Sequence, residues 1–185
     1  QIREVGIELY QQMLEEAVAD IKAGAEGRES ERDWTPQINL GLPVLIPENY
    51  VTDLPVRLGL YRRIGGLATD GENDAMAAEL ADRFGPLPAE VENLLQVVAI
   101  KRLCRDSGVE KLDAGPKGLV LSFRGQHFAN PGGLITWIQG QKGAVKLRPD
   151  AKLSLIRDMD LPERVNRARD LLRVLARLAG DNKRV

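Results

Sequence analysis

TDGENDAMAAELADRFGPLPAEVENLLQVVAIKRLCRD, Thr69–Asp106, reads as a helix, a rigid corner and a second, longer helix. Before the corner, Met76, Leu80 and Phe84 recur every four residues and fall along one side of a helix. Glu79, Asp82 and Arg83, offset by three and four, share a neighbouring side and form a charged stripe. After it, Val91, Leu94, Leu95, Val98 and Leu103 give another helical apolar face. The corner itself, Phe84-Gly85-Pro86-Leu87-Pro88, holds two prolines and a glycine in five residues. One continuous helix is therefore excluded, and the two must meet at a fixed angle.

Upstream, Thr69 and Glu72 have capping-box spacing and start the first of these helices. The preceding helix carries Val56, Leu60, Ile64 and Leu67 on its buried side, with Asp53 as its cap and Pro55 in its first turn. Gly65 and Gly66 would each cost roughly 1 kcal/mol inside a helix, so fraying or termination is expected there. Ile38, Leu40, Leu42, Val44 and Ile46 alternate across Gly41 and Pro43, which is strand spacing. Proline removes a ladder donor, so this segment reads as an edge strand or an extended cover. Residues 25–36 have no apolar periodicity and many charges, and read as a linker. Before them, Ile7, Tyr10, Leu14, Val18 and Ile21 mark a helix that Gly24 can end. The chain begins with Gln1 rather than methionine, which suggests a piece of a longer polypeptide.

Downstream the period changes to two. Val109–Ala114 and Leu119–Phe123 flank the turn Pro116-Lys117-Gly118 and read as a hairpin. Asn130 before Pro131 starts a helix with Leu134, Trp137 and Ile138 on its apolar side. Residues 144–148 and 152–156 flank Pro149-Asp150 as a second hairpin. Asp160 and Glu163 open a last helix, with Leu161, Val165, Leu172, Leu175 and Leu178 buried and Gly180 at its end. Strands and helices are segregated, which indicates an α+β fold: a small antiparallel sheet of hairpins packed with several helices.

Composition excludes several function classes. The 185 residues are 43% hydrophobic and 29% charged, as in an ordinary globular protein. A net charge of -1 argues against a dedicated nucleic-acid binder. The lone Cys104 permits no internal disulfide, and no apolar run reaches the ~18 residues of a membrane span. A cytoplasmic location is expected. One histidine, His127, and one cysteine cannot supply a zinc site of the usual ligand count. No phosphate-binding loop is present. Catalytic, cofactor and metal residues are all read as none.

Two candidate binding features remain. Lys142, Lys146, Arg148, Lys152 and Arg157 cluster around the second hairpin and are either phosphate contacts or a solvated sheet face. Glu79, Asp82 and Arg83 are either a solvated helix face or an interface. Exposed ion pairs stabilise a helix by only ~0.3–0.5 kcal/mol, whereas charges at an interface fix orientation and partner choice.

An ordered set of segments runs through the whole chain: Gly6-Ile7-Glu8-Leu9-Tyr10-Gln11-Gln12-Met13-Leu14-Glu15, Leu45-Ile46-Pro47-Glu48-Asn49-Tyr50-Val51, Arg57-Leu58 with Leu60-Tyr61-Arg62-Arg63-Ile64, and Leu80-Ala81-Asp82-Arg83-Phe84-Gly85-Pro86-Leu87-Pro88. Gly108-Val109-Glu110-Lys111, Lys117-Gly118-Leu119-Val120 and Asn130-Pro131 continue it. Together they resemble the C-terminal part of the bacterial transcription-repair coupling factors (the Mfd family). Gly59, Gly65 and Gly66 depart from the pattern where better helix formers are expected. The resemblance implies a parent that is an ATP-dependent DNA translocase, which displaces stalled RNA polymerase and recruits the repair ATPase UvrA. It implies that this part is the non-catalytic regulatory (TRCF) domain. Such a domain packs on the parent's UvrB-like N-terminal module, masks the UvrA-binding surface and restrains the motor. Carried over by position, that contact falls on Glu79, Asp82 and Arg83. Residues 1–24 would be the tail helix of the translocase module, 25–36 a linker and 37–185 the regulatory domain. UvrA and RNA polymerase are then indirect partners, and direct DNA contact through the hairpin at 142–157 is the alternative.

Overall fold

The computed structural model describes residues 34–181. The expected helix near Ile7–Ile21 and most of the linker lie outside the described residues. The described chain divides into two compact units. One contains Pro43–Ala99; the other contains Thr35–Leu42 and residues 100–181.

Three helices make the first unit: α1 (Leu54–Gly65), α2 (Asp70–Phe84) and the first half of α3 (Ala89–Ser107). Helix α1 stops where the glycines predict, with Gly66 as its C-cap. Asp53 occupies the N-cap position, but its side chain makes no capping bond; Pro55 in the first turn leaves one fewer orphan amide to satisfy. The capping box of α2 is complete. Glu72 N donates to Thr69 Oγ1 at 3.1 Å, and Thr69 N donates to Glu72 Oε2 at 3.1 Å.

The core of this unit is Ile46, Leu60, Tyr61, Ile64, Met76, Leu80, Val91, Leu94 and their neighbours. Each fully buried aliphatic side chain contributes about 1.5–3 kcal/mol. Helix α1 is rolled relative to the expected buried side. Arg57 and Tyr61 are fully buried beside Leu60 and Ile64, while Val56 is only half-buried. The reason is polar. Arg57 donates to the Val51 carbonyl and Tyr61 Oη accepts from Ile46 N at 2.6 Å, so the two side chains satisfy the backbone of the extended cover.

At the corner, Gly85 adopts φ +94° and ψ -173°, a conformation open essentially to glycine alone. The Tyr50 hydroxyl lies 3.1 Å from Leu80 O and 2.8 Å from Gly85 O. Its ring packs on Phe84 at 5.7 Å.

The second unit holds a five-stranded sheet in the order β1-β2-β3-β5-β4. The strands are β1 (Gln37–Asn39), β2 (Val109–Gly115), β3 (Gly118–Phe123), β4 (Val145–Leu147) and β5 (Lys152–Ile156). Both hairpins form as expected, with β2, β3, β5 and β4 antiparallel. The sheet is nonetheless mixed, because β1 joins the edge parallel to β2. Alternating burial continues from 37 to 46 although only three residues pair. Gly41 at φ +66° and Pro43 end the ladder, so the remainder is extended cover.

One sheet face, carrying Leu112, Leu119, Leu121, Phe123 and Leu153, is buried. Helices α4 (Pro131–Gln139) and α5 (Leu161–Asp181) complete the unit. Asn130 does two jobs: its Oδ1 caps α4 by accepting from Gly133 N at 3.1 Å, and its Nδ2 donates to Leu178 O of α5 at 2.9 Å. In α5, Glu163 N donates to Asp160 Oδ1 at 2.9 Å. Leu161 lies on the exposed side instead of the buried one, because it precedes the first residue of α5 that reaches the core, Val165. Gly180 does not end that helix, which continues to Asp181.

Two glycines separate backbone strain from crowding. A Cβ at Gly85 meets nothing within 4 Å, whereas one at Gly118 (φ +146°) lands on the Leu155 carbonyl oxygen. Gly85→Ala is therefore expected to cost about 2 kcal/mol from conformation alone. Gly118→Ala is expected to cost more, because the antiparallel pairing of β3 with β5 must also give way. Urea unfolding of the two variants tests the order.

Candidate functional site

The charged stripe lies on α2, with Asp82 and Arg83 exposed and Glu79 half-exposed. Its spacing is helical, so all three side chains leave the same flank. Glu79 is engaged within the unit. Its Oε2 accepts from Arg63 Nη1 at 2.6 Å and its Oε1 from Arg63 Nη2 at 2.7 Å, a two-pronged pair from the last turn of α1. Arg83 Nη1 adds a third bond to Oε2 at 3.1 Å. The Arg83 guanidinium also sits 4.8 Å from the centre of the Phe84 ring. One carboxylate is thus held between two guanidinium groups, and Asp82 stands beside them with no hydrogen bond or ion pair among the described residues.

The hydrogen bonds from Arg63, and secondarily from Arg83, hold the Glu79 carboxyl at about 2, well below its ordinary value, against a smaller opposing effect of desolvation. Next to this triad a groove of about 390 Å³ opens between Arg62, Arg63 and Leu67 on one side and Glu72, Met76 and Glu79 on the other. Arg63 is the residue the stripe pattern misses, since it lies sixteen residues away on another helix. The signal available was the Arg62-Arg63 pair in the last turn of α1, immediately before the two glycines that end it.

The remaining chemical groups are dispersed. His127 is exposed. Cys104 is buried, and burial pushes its thiol up to about 12, so it is not a thiolate nucleophile. Among the described residues no three His, Cys, Asp or Glu side chains cluster to hold a metal, and no helix is long and apolar enough to cross a membrane. Lys142, Lys146, Arg148, Lys152 and Arg157 are all exposed. The register puts Lys146 opposite Ser154 and Lys152 opposite Ser122, on the sheet face away from Phe123. A further cation escaped the sequence reading. Lys101 on α3 is buried, and burial, with the charge of Arg105, brings its ammonium down to about 8.

A family model described as the TRCF domain matches residues 40–134. A transcription-repair-coupling factor of Rickettsia bellii is 45% identical over 160 residues, covering 86% of this chain and 14% of the relative. That of Escherichia coli K12 is 33% identical over 175 residues, covering 92% of this chain and 15% of the relative. The chain thus spans only about one seventh of the relatives it matches. A solved C-terminal domain of a transcription-repair coupling factor superposes with a TM-score of 0.56 at 14% identity, over 80% of this chain and 92% of that one. That likeness supports the α+β fold.

Two pH effects follow. Glu79 has a folded-state value below its unfolded one, so its contribution is present above about pH 4.5 and lost as pH falls towards 2. Glu79→Gln is expected to lower the melting temperature at pH 7 in low salt, with the difference closing near pH 2 and shrinking in high salt. Lys101 works in the opposite sense. Its folded-state value lies below the unfolded one, so its charged form costs most below about pH 8, and the cost disappears above 10.5. Lys101→Met is expected to raise the melting temperature at pH 7 and to have much less effect near pH 10.5, as thermal scans at the two pH values will show.

Proposed function

The chain belongs to the transcription-repair coupling factor family through its TRCF domain, and from that premise we propose that it is the family's non-catalytic regulatory domain in transcription-coupled DNA repair. In this reading it docks on the UvrB-like N-terminal module of its own parent chain, covers the surface that would bind UvrA and restrains the parent's ATP-driven motor. RNA polymerase and UvrA are reached only through the parent. Residues 1–24 then belong to the translocase module and 25–36 to a linker, with the regulatory domain starting near 37.

The observation that carries the docking assignment is the arrangement around Glu79. Arg63 and Arg83 hold that carboxylate in one orientation, and the Gly85-Pro86-Leu87-Pro88 corner fixes the end of the helix that bears it. Among the described residues Asp82 is left beside them as an exposed carboxylate with no side-chain hydrogen bond or ion pair. Little ordering entropy remains to be lost when such a surface meets a partner. A solvated helix face needs no such framing.

The decisive substitution is Asp82→Arg, because among the described residues no hydrogen bond or ion pair of the Asp82 side chain is lost with it. In the full-length parent it is expected to leave the fold intact and to raise affinity for UvrA by about tenfold or more, since like charges at an interface cost several kcal/mol. Glu79→Arg should act in the same direction but also breaks the bonds to Arg63 and Arg83. Unchanged UvrA affinity in a folded Asp82→Arg protein, measured by titration, would refute the docking surface.

A further inference from the structure

Strand β4 is the outermost strand of the sheet, and among the described residues nothing pairs with its outer side. Ile156 N donates to Ala144 O at 3.3 Å and Arg148 N donates to Lys152 O at 2.8 Å. By the alternation of an antiparallel ladder, Ala144, Lys146 and Arg148 turn their peptide groups towards β5. Val145 and Leu147 therefore turn theirs to the open edge. An apolar hollow of about 170 Å³ adjoins it, formed by Phe123, Phe128, Leu134, Ile135 and Leu147. Its lip is uncovered: Ile135 is 50% and Leu147 44% exposed.

The charge around this edge is one-sided. Between Lys142 and Asp158 the chain carries five cations and two carboxylates, Asp150 and Asp158, the latter 3.2 Å from Lys117, although the whole chain is at -1. Asp150 lies 3.9 Å from Lys152, so one of those cations has a carboxylate neighbour within the hairpin. A second copy added across the edge would set these cations against one another, which disfavours self-pairing. A segment with carboxylates at alternate positions meets the opposite situation.

We propose that β4 is a docking edge for an extended, acidic segment of a partner protein, which adds as a sixth strand. Its alternate side chains divide between the two sheet faces. Apolar residues cover Ile135 and Leu147 over the hollow, and carboxylates lie against Lys146 and its cationic neighbours. This site does not depend on the docking role of Asp82, and either assignment can fail without the other.

The test titrates the full chain with a fluorescent peptide of alternating glutamate and valine, followed by anisotropy. Saturable binding is expected. Methylating the peptide's alternate backbone nitrogens removes its ladder donors without changing charge, and should weaken binding about tenfold or more. Ile135→Asp, a substitution on an exposed position, and Lys146→Glu should each do the same. Lys146→Glu should also improve binding of the lysine-for-glutamate peptide. Absence of saturable binding overturns the proposal. So does equal binding of the methylated peptide, which would mean charge attraction alone. A short oligothymidylate that binds more tightly than the peptide also overturns it, and would assign the hairpin to nucleic acid.

Discussion

The Tyr50 hydroxyl, set between the carbonyl oxygens of Leu80 and Gly85, is the contact on which the helical unit depends. A helix that ends at Gly-Pro-Leu-Pro leaves its last carbonyls without amide partners, since neither proline can donate. Tyr50 reaches that last turn from the extended segment before α1, with its hydroxyl at Leu80 O and Gly85 O and its ring packed on Phe84. The extended cover is secured in turn by Arg57 on Val51 O, by the Tyr61 hydroxyl under Ile46 N and by Asn93 on Pro43 O. The corner, the cover and the apolar cluster beneath them thus hold one another. Burial drives the collapse, and a few buried polar contacts decide which way each helix is turned.

That division explains what could be read in advance. Local features were legible because they rest on neighbours in the chain: the capping box at Thr69 and Glu72, the stop at Gly65 and Gly66, both hairpins and the Asn130-Pro131 start. Features set by partners outside the element itself were not. Arg57 appears polar to any hydrophobic pattern, yet it is buried because Val51 needs a donor. The parallel pairing of β1 joins residues 37–39 to 111–113, and nothing local specifies it. Likewise the stripe on α2 was visible as helical spacing, but the bidentate grip of Arg63 on Glu79 was not.

This grip changes the chemical character of the surface. Glu79 counted as a free anion would make the stripe mainly acidic. Shared between Arg63 and Arg83, it becomes the centre of a group with a net positive charge, beside the exposed carboxylate of Asp82. All these side chains retain solvent access, so their attractions are screened within about 10 Å at moderate salt. Position, more than strength, is what such a network supplies.

The route of the chain through its two units has a consequence for cooperativity. Residues 43–99 interrupt the second unit between β1 and the rest of its sheet. In the unfolded chain, pairing β1 with β2 closes a loop of about seventy residues, and its entropic cost grows with the logarithm of the free length. Folding of the three-helix segment removes most of that free length. Pairing of β1 then closes a shorter free loop, and a substitution that unfolds the helical unit restores the full length that β1 must close.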